Sequence, residues 1–412
     1  MNNVQSFADL KLIEPLLKSV SRSGYTHPTP IQMKVIPHLL QGKDLLGIAQ
    51  TGTGKTAAFS LPLLQNIAQN PKRMAPRQVR VLVLAPTREL AIQVHESFQT
   101  YGANLRIKLA LAFGGVSQNP QVQSLSGGVD VLVATPGRLL DLLSQGHVSL
   151  AAVESFVLDE ADRMLDMGFI HDIKKVLAVL PKQRHNLLFS ASMAPETEKL
   201  VNSILVNPIK VAVTPPSTTA ELINQSVMFV DKAKKRDLLA HLFASKEFKR
   251  VIIFTRTKHG ANKVAEFLDQ VGVYSRAIHG NKSQSARQKA LSDFKAGQLR
   301  ALIATDIAAR GIDVDDISHV INYELPNEPE TYVHRIGRTA RAGTSGVAIS
   351  FCEAEEISYL KQIEKVIKKA IRVERANPFH SDAAEHSTEK PPLLNAKSQR
   401  HRRPPPRRQT PK

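Results

Sequence analysis

Short aliphatic runs rich in β-branched residues recur along this chain at 45–48, 80–85, 129–134, 155–158, 186–190 and 210–213. Between them lie longer stretches whose apolar residues repeat at helical spacing. Runs that are apolar throughout, rather than alternating, fit strands buried on both faces. The pattern therefore predicts a mostly parallel sheet with helices packed on each side. At 214–219 the sequence reads Thr-Pro-Pro-Ser-Thr-Thr, which neither a helix nor a central strand tolerates. Beyond it the alternation restarts, with strands expected at 223–230, 250–255, 275–279, 300–305, 319–322 and 347–351. The reading is two α/β domains, 1–213 and 221–376, joined by a linker at 214–220. From 377 to 412 the pattern gives way to Pro, Ser and charge, and residues 397–412 hold seven basic side chains and no acidic one. That composition predicts a disordered basic tail.

Composition narrows the class. A net charge of +18 makes a polyanion the expected partner, because neutralising phosphates releases counterions without demanding sequence specificity. Aromatic residues are only 5% and tryptophan is absent, so contact with a nucleic-acid backbone is favoured over stacking on bases. No apolar run approaches the roughly 20 residues of a membrane span, and residues 1–6 lack the basic and apolar regions of a secretion signal. Cys352 is the single cysteine, which excludes an internal disulfide and fits a reducing cytoplasm.

The chemistry is concentrated first in Ala49-Gln50-Thr51-Gly52-Thr53-Gly54-Lys55-Thr56, between the run at 45–48 and a helical pattern. Gly52 and Gly54 let the backbone curl so that successive N–H groups point inward. Lys55 can reach terminal phosphates, and the Thr56 hydroxyl suits Mg2+. The following helix adds its positive end. In Val157-Leu158-Asp159-Glu160-Ala161-Asp162 an apolar strand ends in carboxylates. Strand ends face the ligand crevice in open α/β sheets, so Asp159 is placed to hold the metal and Glu160 to orient or deprotonate a water. Thr87 and Thr135 read as helix N-caps, with Pro136 at the first helical position, and each presents a helix N-terminus to anions. Arg338 and Arg341 lie three apart, so both can approach one phosphate as arginine fingers.

Asp159-Glu160-Ala161-Asp162 resembles the signature of the DEAD-box RNA helicases, and the motif order from about Phe7 to Ile371 is similar to that family's. The resemblance implies two RecA-like domains that bind ATP and Mg2+ and grip RNA by its sugar-phosphate backbone. It implies that Phe7, seventeen positions before Gly24-Tyr25, stacks on adenine, and that Gln32 in Thr29-Pro30-Ile31-Gln32 reads the adenine edge. A side-chain amide offers the donor and acceptor that this requires. It also implies RNA contacts from Pro86, Thr87, Arg88, Gly115, Thr135 and Arg138 in the first domain, and from Thr255, Arg256, Gln284 and Thr305 in the second. Asp313 is implied to meet the ribose. Ser190-Ala191-Ser192 resembles the motif that connects hydrolysis to strand separation, with Ser192 where the family usually has threonine. Ala340 stands where glycine is usual. The stretch 257–262, Thr-Lys-His-Gly-Ala-Asn, is similar to the bacterial RhlE-like subgroup.

Nucleotide residues on the first domain and arginines on the second imply hydrolysis gated by domain closure, with ATP and RNA each favouring the other. The family implies a cytoplasmic monomer that remodels duplex RNA or ribonucleoprotein, among ribosomal or RNA-decay proteins. The rival is a non-catalytic, ATP-gated RNA clamp. A GTPase is disfavoured because Asn281-Lys282-Ser283-Gln284 lacks the guanine-reading aspartate. DNA in place of RNA stays open from the residues alone.

Overall fold

A computed structural model describes residues 6–50, 52–213, 223–309, 314, 317–339 and 346–387. The first domain holds β1 (Leu45–Ala49), β2 (Val79–Leu84), β3 (Leu109–Ala112), β4 (Val129–Ala134), β5 (Ser155–Leu158), β6 (His185–Ser190) and β7 (Ile209–Val213). These strands lie parallel in the spatial order β3, β4, β2, β5, β6, β1, β7. The second domain holds β8 (Ile223–Phe229), β9 (Val251–Phe254), β10 (Ser275–Ile278), β11 (Ala301–Ala304), β12 (His319–Asn322), β13 (Gly346–Cys352) and β14 (Arg372–Val373). Their order is β10, β11, β9, β12, β13, β8, β14. Adding seven to each number of the first list gives the second. The two sheets share one topology.

Each sheet is buried on both faces, as its unbroken apolar runs require. Along β2, Val81 and Val83 enter one core cluster while Leu82 and Leu84 enter the other. Ile253 and its neighbours Ile252 and Phe254 divide in the same way in the second domain. Alternate side chains of a strand point to opposite faces, so helices must cover both.

One packing detail fixes the strand that feeds the glycine-rich loop. Gly47 of β1 sits opposite Phe189 of β6, and a Cβ at Gly47 would lie 2.5 Å from the Phe189 ring. That ring packs on Phe59 with centroids 5.3 Å apart. Phe59 belongs to the helix Lys55–Gln69, so the loop is clamped between a strand and a helix that share one aromatic contact.

Two expectations change. The segment 109–112, Leu-Ala-Leu-Ala, is the edge strand β3 although it has no β-branched residue. Its pairing with β4 overrides its weak propensity. The fold also continues past 376. Ser381 donates its backbone N–H to Phe229 at 3.1 Å and its hydroxyl to Asp231 at 2.6 Å, and a short helix spans Asp382–Glu385. Residues 377–387, expected in the tail, therefore belong to the fold, because a segment rich in polar residues still found backbone and carboxylate partners beside β8. The linker at 214–220 and residues 388–412 lie outside the described residues.

Candidate functional site

Strand order divides the first sheet's C-terminal edge into two halves. β5, β6 and β1 are contiguous, and they lead into Asp159-Glu160, Ser190-Ala191-Ser192 and the glycine-rich loop. β3, β4 and β2 are contiguous, and they lead into Gly115, Thr135-Pro136-Gly137-Arg138 and Pro86-Thr87-Arg88. Topology thus gathers the candidate triphosphate residues at one half and the candidate RNA residues at the other.

In the triphosphate half, Lys55 is buried and its Nζ donates to the Ala49 carbonyl at 2.8 Å. Gly54 has φ +91, and a Cβ there would lie 2.5 Å from Nε2 of Gln32, so glycine is required twice over. Gln32 Nε2 donates to the Gly54 carbonyl at 3.1 Å, and its Oε1 accepts the Thr29 N–H at 2.9 Å. One amide hydrogen and one lone pair are left over, the pair needed for an adenine edge. Gln32 therefore connects the helix start at Thr29 to the glycine-rich loop, a link invisible in the sequence. Gly52 is exposed beside it, while Thr51 lies outside the described residues. Phe7 is 6% exposed and packed in the apolar cluster, not displayed on an open face.

The carboxylates are the most constrained part. Asp159 is buried at the end of β5, and its Oδ1 accepts the Glu160 N–H at 3.0 Å. Burial pushes its carboxyl up to about 6; Lys55 opposes the shift, and Glu160 and Asp162 add to it. Glu160 has φ 53, a left-handed conformation for a residue with a side chain, and its Oε2 meets Arg163 Nη1 at 2.8 Å with both side chains buried. Asp162 Oδ2 accepts from the N–H groups of Ala191 at 3.1 Å and Ser192 at 2.8 Å, and from the Ser192 hydroxyl at 3.0 Å. The serine in place of threonine keeps this bond. Asp162 and Arg163 carried no role in the sequence reading. Asp159 and the partly exposed Thr56 supply hard oxygens, a carboxylate and a hydroxyl, which suit magnesium better than a softer metal.

In the other half, Thr87 caps its helix by accepting the Leu90 N–H at 3.2 Å, whereas Thr135 stands at the expected N-cap position with extended backbone but its hydroxyl makes no cap bond. Pro136 does occupy the first turn, where its missing N–H costs nothing. Pro86 is buried beside Thr87. Gly115 has φ +79, and a Cβ there would meet the Arg88 guanidinium at 2.3 Å. Arg138 donates to Gln121 Oε1 at 2.9 Å and to the Val116 carbonyl at 3.0 Å, which stiffens the loop that carries Gly115.

The second domain repeats the layout. β10, β11 and β9 are contiguous and lead into Gln284, Thr305 and Thr255. Thr255 is fully buried and donates its hydroxyl to the Thr257 carbonyl at 3.2 Å. The Arg256 guanidinium lies within 4 Å of Glu324, Glu353 and Glu356. Both side chains are engaged within the second domain, and 26% of the Arg256 side chain remains exposed. Burial holds His279 below the usual imidazole range, helped by Lys282, Lys258 and Arg287. Its Nδ1 accepts the Asn281 N–H at 3.3 Å, which fixes a neutral ring that presents Nε2 to Asn262 at 3.0 Å.

Direct bonds join the domains. Gln284 Oε1 accepts from Arg88 at 3.2 Å and its Nε2 donates to Glu89 at 3.3 Å, while Arg287 pairs with Glu89 at 2.9 Å. Arg287 lies one helical turn after Gln284, a spacing that could have flagged it. A small cavity between the halves is lined by Arg163 from the first domain and by Phe254, Asp306, His334, Arg335 and Arg338 from the second. Arg335 is fully engaged, bidentate to Asp306 and bonded to Asn322 and the Glu324 carbonyl. It is an anchor. Buried Arg338, held by its Nε to the His334 carbonyl at 3.3 Å, lines this cavity together with Arg163, the partner of Glu160. Asp313, Ala340 and Arg341 lie outside the described residues.

Fold and site together define a two-domain P-loop nucleoside triphosphatase with an anion-gripping crest beside its nucleotide cleft. The family model described as DEAD/DEAH box helicase matches residues 29–200, and the helicase conserved C-terminal domain matches residues 234–343. The chain belongs to the DEAD-box helicase family. It is 42% identical over 366 residues to the ATP-dependent RNA helicase CshA of Listeria monocytogenes, covering 89% of this chain and 69% of the relative. Against the DEAD-box ATP-dependent RNA helicase CshA of Geobacillus kaustophilus it is 42% identical over 379 residues, covering 92% and 80%. Among solved structures it is similar to Dbp5 of S. cerevisiae bound to RNA and ADP BeF3, with TM-score 0.78 and 34% identity over 90% of this chain and 95% of that one. A DEAD box protein from Methanococcus jannaschii gives TM-score 0.53 with 38% identity, covering 90% and 99%.

Proposed function

We propose that this chain couples ATP binding and hydrolysis to local unwinding of RNA duplexes or remodelling of ribonucleoprotein, through a site completed only when its two domains meet. The observation that carries the reading is the cavity lined jointly by the second domain's Arg338 and the first domain's Arg163, the partner of Glu160. Lys55 and the loop amides hold the β- and γ-phosphates, Gln32 reads the adenine edge, and Thr56 and Asp159 hold magnesium, which neutralises phosphate charge when bound. Glu160, held through Oε2 by Arg163, aims the attacking water and takes its proton. Arg338, with Arg341, neutralises charge on the transferred phosphoryl group. Asp313 meets the ribose. RNA lies along Pro86, Thr87, Arg88, Gly115, Thr135 and Arg138, then across to Gln284 and Thr305, and its 2′-hydroxyls distinguish it from DNA.

The expected setting is the cytoplasm, among ribosomal or RNA-decay proteins, as a monomer; among the described residues no helix is long and apolar enough to cross a membrane. Residues 257–262 favour the RhlE-like subgroup, although the relatives above carry another name. The deciding experiment measures ATP turnover with RNA, with DNA and with neither, using Glu160→Gln as the control. RNA-selective stimulation that the substitution abolishes is the expected result. Turnover indifferent to RNA would overturn the coupling, and negligible turnover with intact ATP and RNA binding would make the chain a clamp.

A further inference from the structure

At the opposite end of the first sheet, where β3 and β4 begin, lies a cleft of about 530 Å³ that none of the chemistry above uses. Its floor is aliphatic: Ile67 and Met74 are buried, and Leu105 and Ile107 are partly so. Its rim is basic. Lys72 is paired with Glu154 at 2.9 Å, but Arg73, Arg106 and Lys108 are exposed and have no ion-pair partner among the described residues. The single acid in the lining, Asp130, is occupied in accepting the Lys108 backbone N–H at 2.8 Å. The wall is shaped closely. Gly128 has φ +72, and a Cβ there would lie 2.3 Å from the Ala75 carbonyl, so the 74–75 segment is seated against the start of β4.

Size, floor and rim select the occupant. The volume lies in the range of clefts that take a peptide segment or small ligand. A nucleic acid is a poorer match, because the aliphatic floor offers a sugar-phosphate backbone no hydrogen-bonding partner and would bury its polar groups unpaired. The six residues of β4 also hold the cleft about 20 Å from the helix start at Thr135, on the far side of the sheet from the RNA crest. An aliphatic floor ringed by three unpaired cations complements a short stretch of chain that alternates acidic and aliphatic side chains. We propose that this cleft docks an acidic, aliphatic peptide segment of a partner protein, independently of the nucleotide and RNA sites.

The test is selection from a displayed random peptide library on the full-length protein, run in parallel on a variant carrying Arg73→Glu, Arg106→Glu and Lys108→Glu. These side chains are exposed and lie outside the catalytic crevice, so RNA-stimulated ATP turnover of the variant reports that it is folded. The expected outcome is enrichment of peptides that combine Asp or Glu with Leu, Ile or Val, bound about tenfold or more weakly by the variant in fluorescence anisotropy and weakened by salt. The proposal falls if no peptides are enriched, if the enriched ones carry no acidic bias, or if they bind the variant equally. It also falls if the variant instead loses affinity for a labelled single-stranded RNA, which would make the rim an extension of the RNA surface.

Discussion

Replacing Asp159 with Asn should stabilise the empty protein, and the gain should shrink in acid. The carboxyl is buried at the end of β5, and burial raises it from its ordinary 3.8 to about 6 despite the nearby Lys55 charge. The fold therefore holds the proton more tightly than the unfolded chain does. Stability is greatest at low pH and falls as pH rises from the ordinary value through about 6. At 1.36 kcal/mol for each tenfold step in proton affinity, the ionised carboxylate costs about 3 kcal/mol at about pH 8 and about half of that at about pH 5. Asn cannot ionise, and its Oδ1 can still accept the Glu160 N–H. Urea unfolding followed by circular dichroism, without nucleotide or divalent metal, should place Asp159→Asn above the parent by a margin that narrows by about 1.5 kcal/mol between those two pH values. A margin that is constant, or that widens in acid, would refute the reasoning. The same variant should lose ATP turnover, because on the function proposed above this carboxylate trades stability for the charge that would hold magnesium.

Gly47→Ala should destabilise the first domain by about 1–3 kcal/mol, since its methyl would press on the Phe189 ring; an unchanged urea midpoint would show that the ring can move aside. Arg287→Met removes one partner of a buried pair and leaves Glu89 uncompensated at the domain contact. Dyes on the two domains should then report closure weakened about tenfold or more, and the charge swap Glu89→Arg with Arg287→Glu should recover part of it. Lys235→Met takes one of two cations from the buried Glu356, whose carboxylate sits 2.7 Å from the lysine and 3.2 Å from Arg256. A loss from the second domain smaller than the about 3–5 kcal/mol of a fully stranded charge is expected, read as an early transition in chemical unfolding, and Arg256→Met added to it should deepen the loss.

Both sheets were legible because their strands are continuous Val, Ile and Leu runs, which few other arrangements tolerate. β3 was missed because Leu-Ala-Leu-Ala carries no strand preference of its own and depends on β4. The docked segment at 377–387 escaped notice because hydrogen bonds to β8 and Asp231, not apolar pattern, hold it. Among site residues, Lys55, Asp159 and Glu160 were readable since glycine-loop and strand-end chemistry is local. Arg163, Asp162 and the contact of Gln32 with Gly54 were not, because each depends on two segments meeting in space. The internal partners of Arg256, Glu324, Glu353 and Glu356, were not readable from its motif, because they lie far along the chain.

The shared strand order has a consequence for how the protein is switched. One topology written twice makes the chain resemble two unequal subunits in one polypeptide, and on the function proposed above one would hold the triphosphate while the other supplied Arg338. Because a single chain carries both, with 214–222 as the tether between them in sequence, their encounter is intramolecular and is governed by an effective concentration instead of a bulk one. Cutting the tether would turn a first-order gate into a second-order one, and turnover per molecule would then depend on how much protein is in the tube.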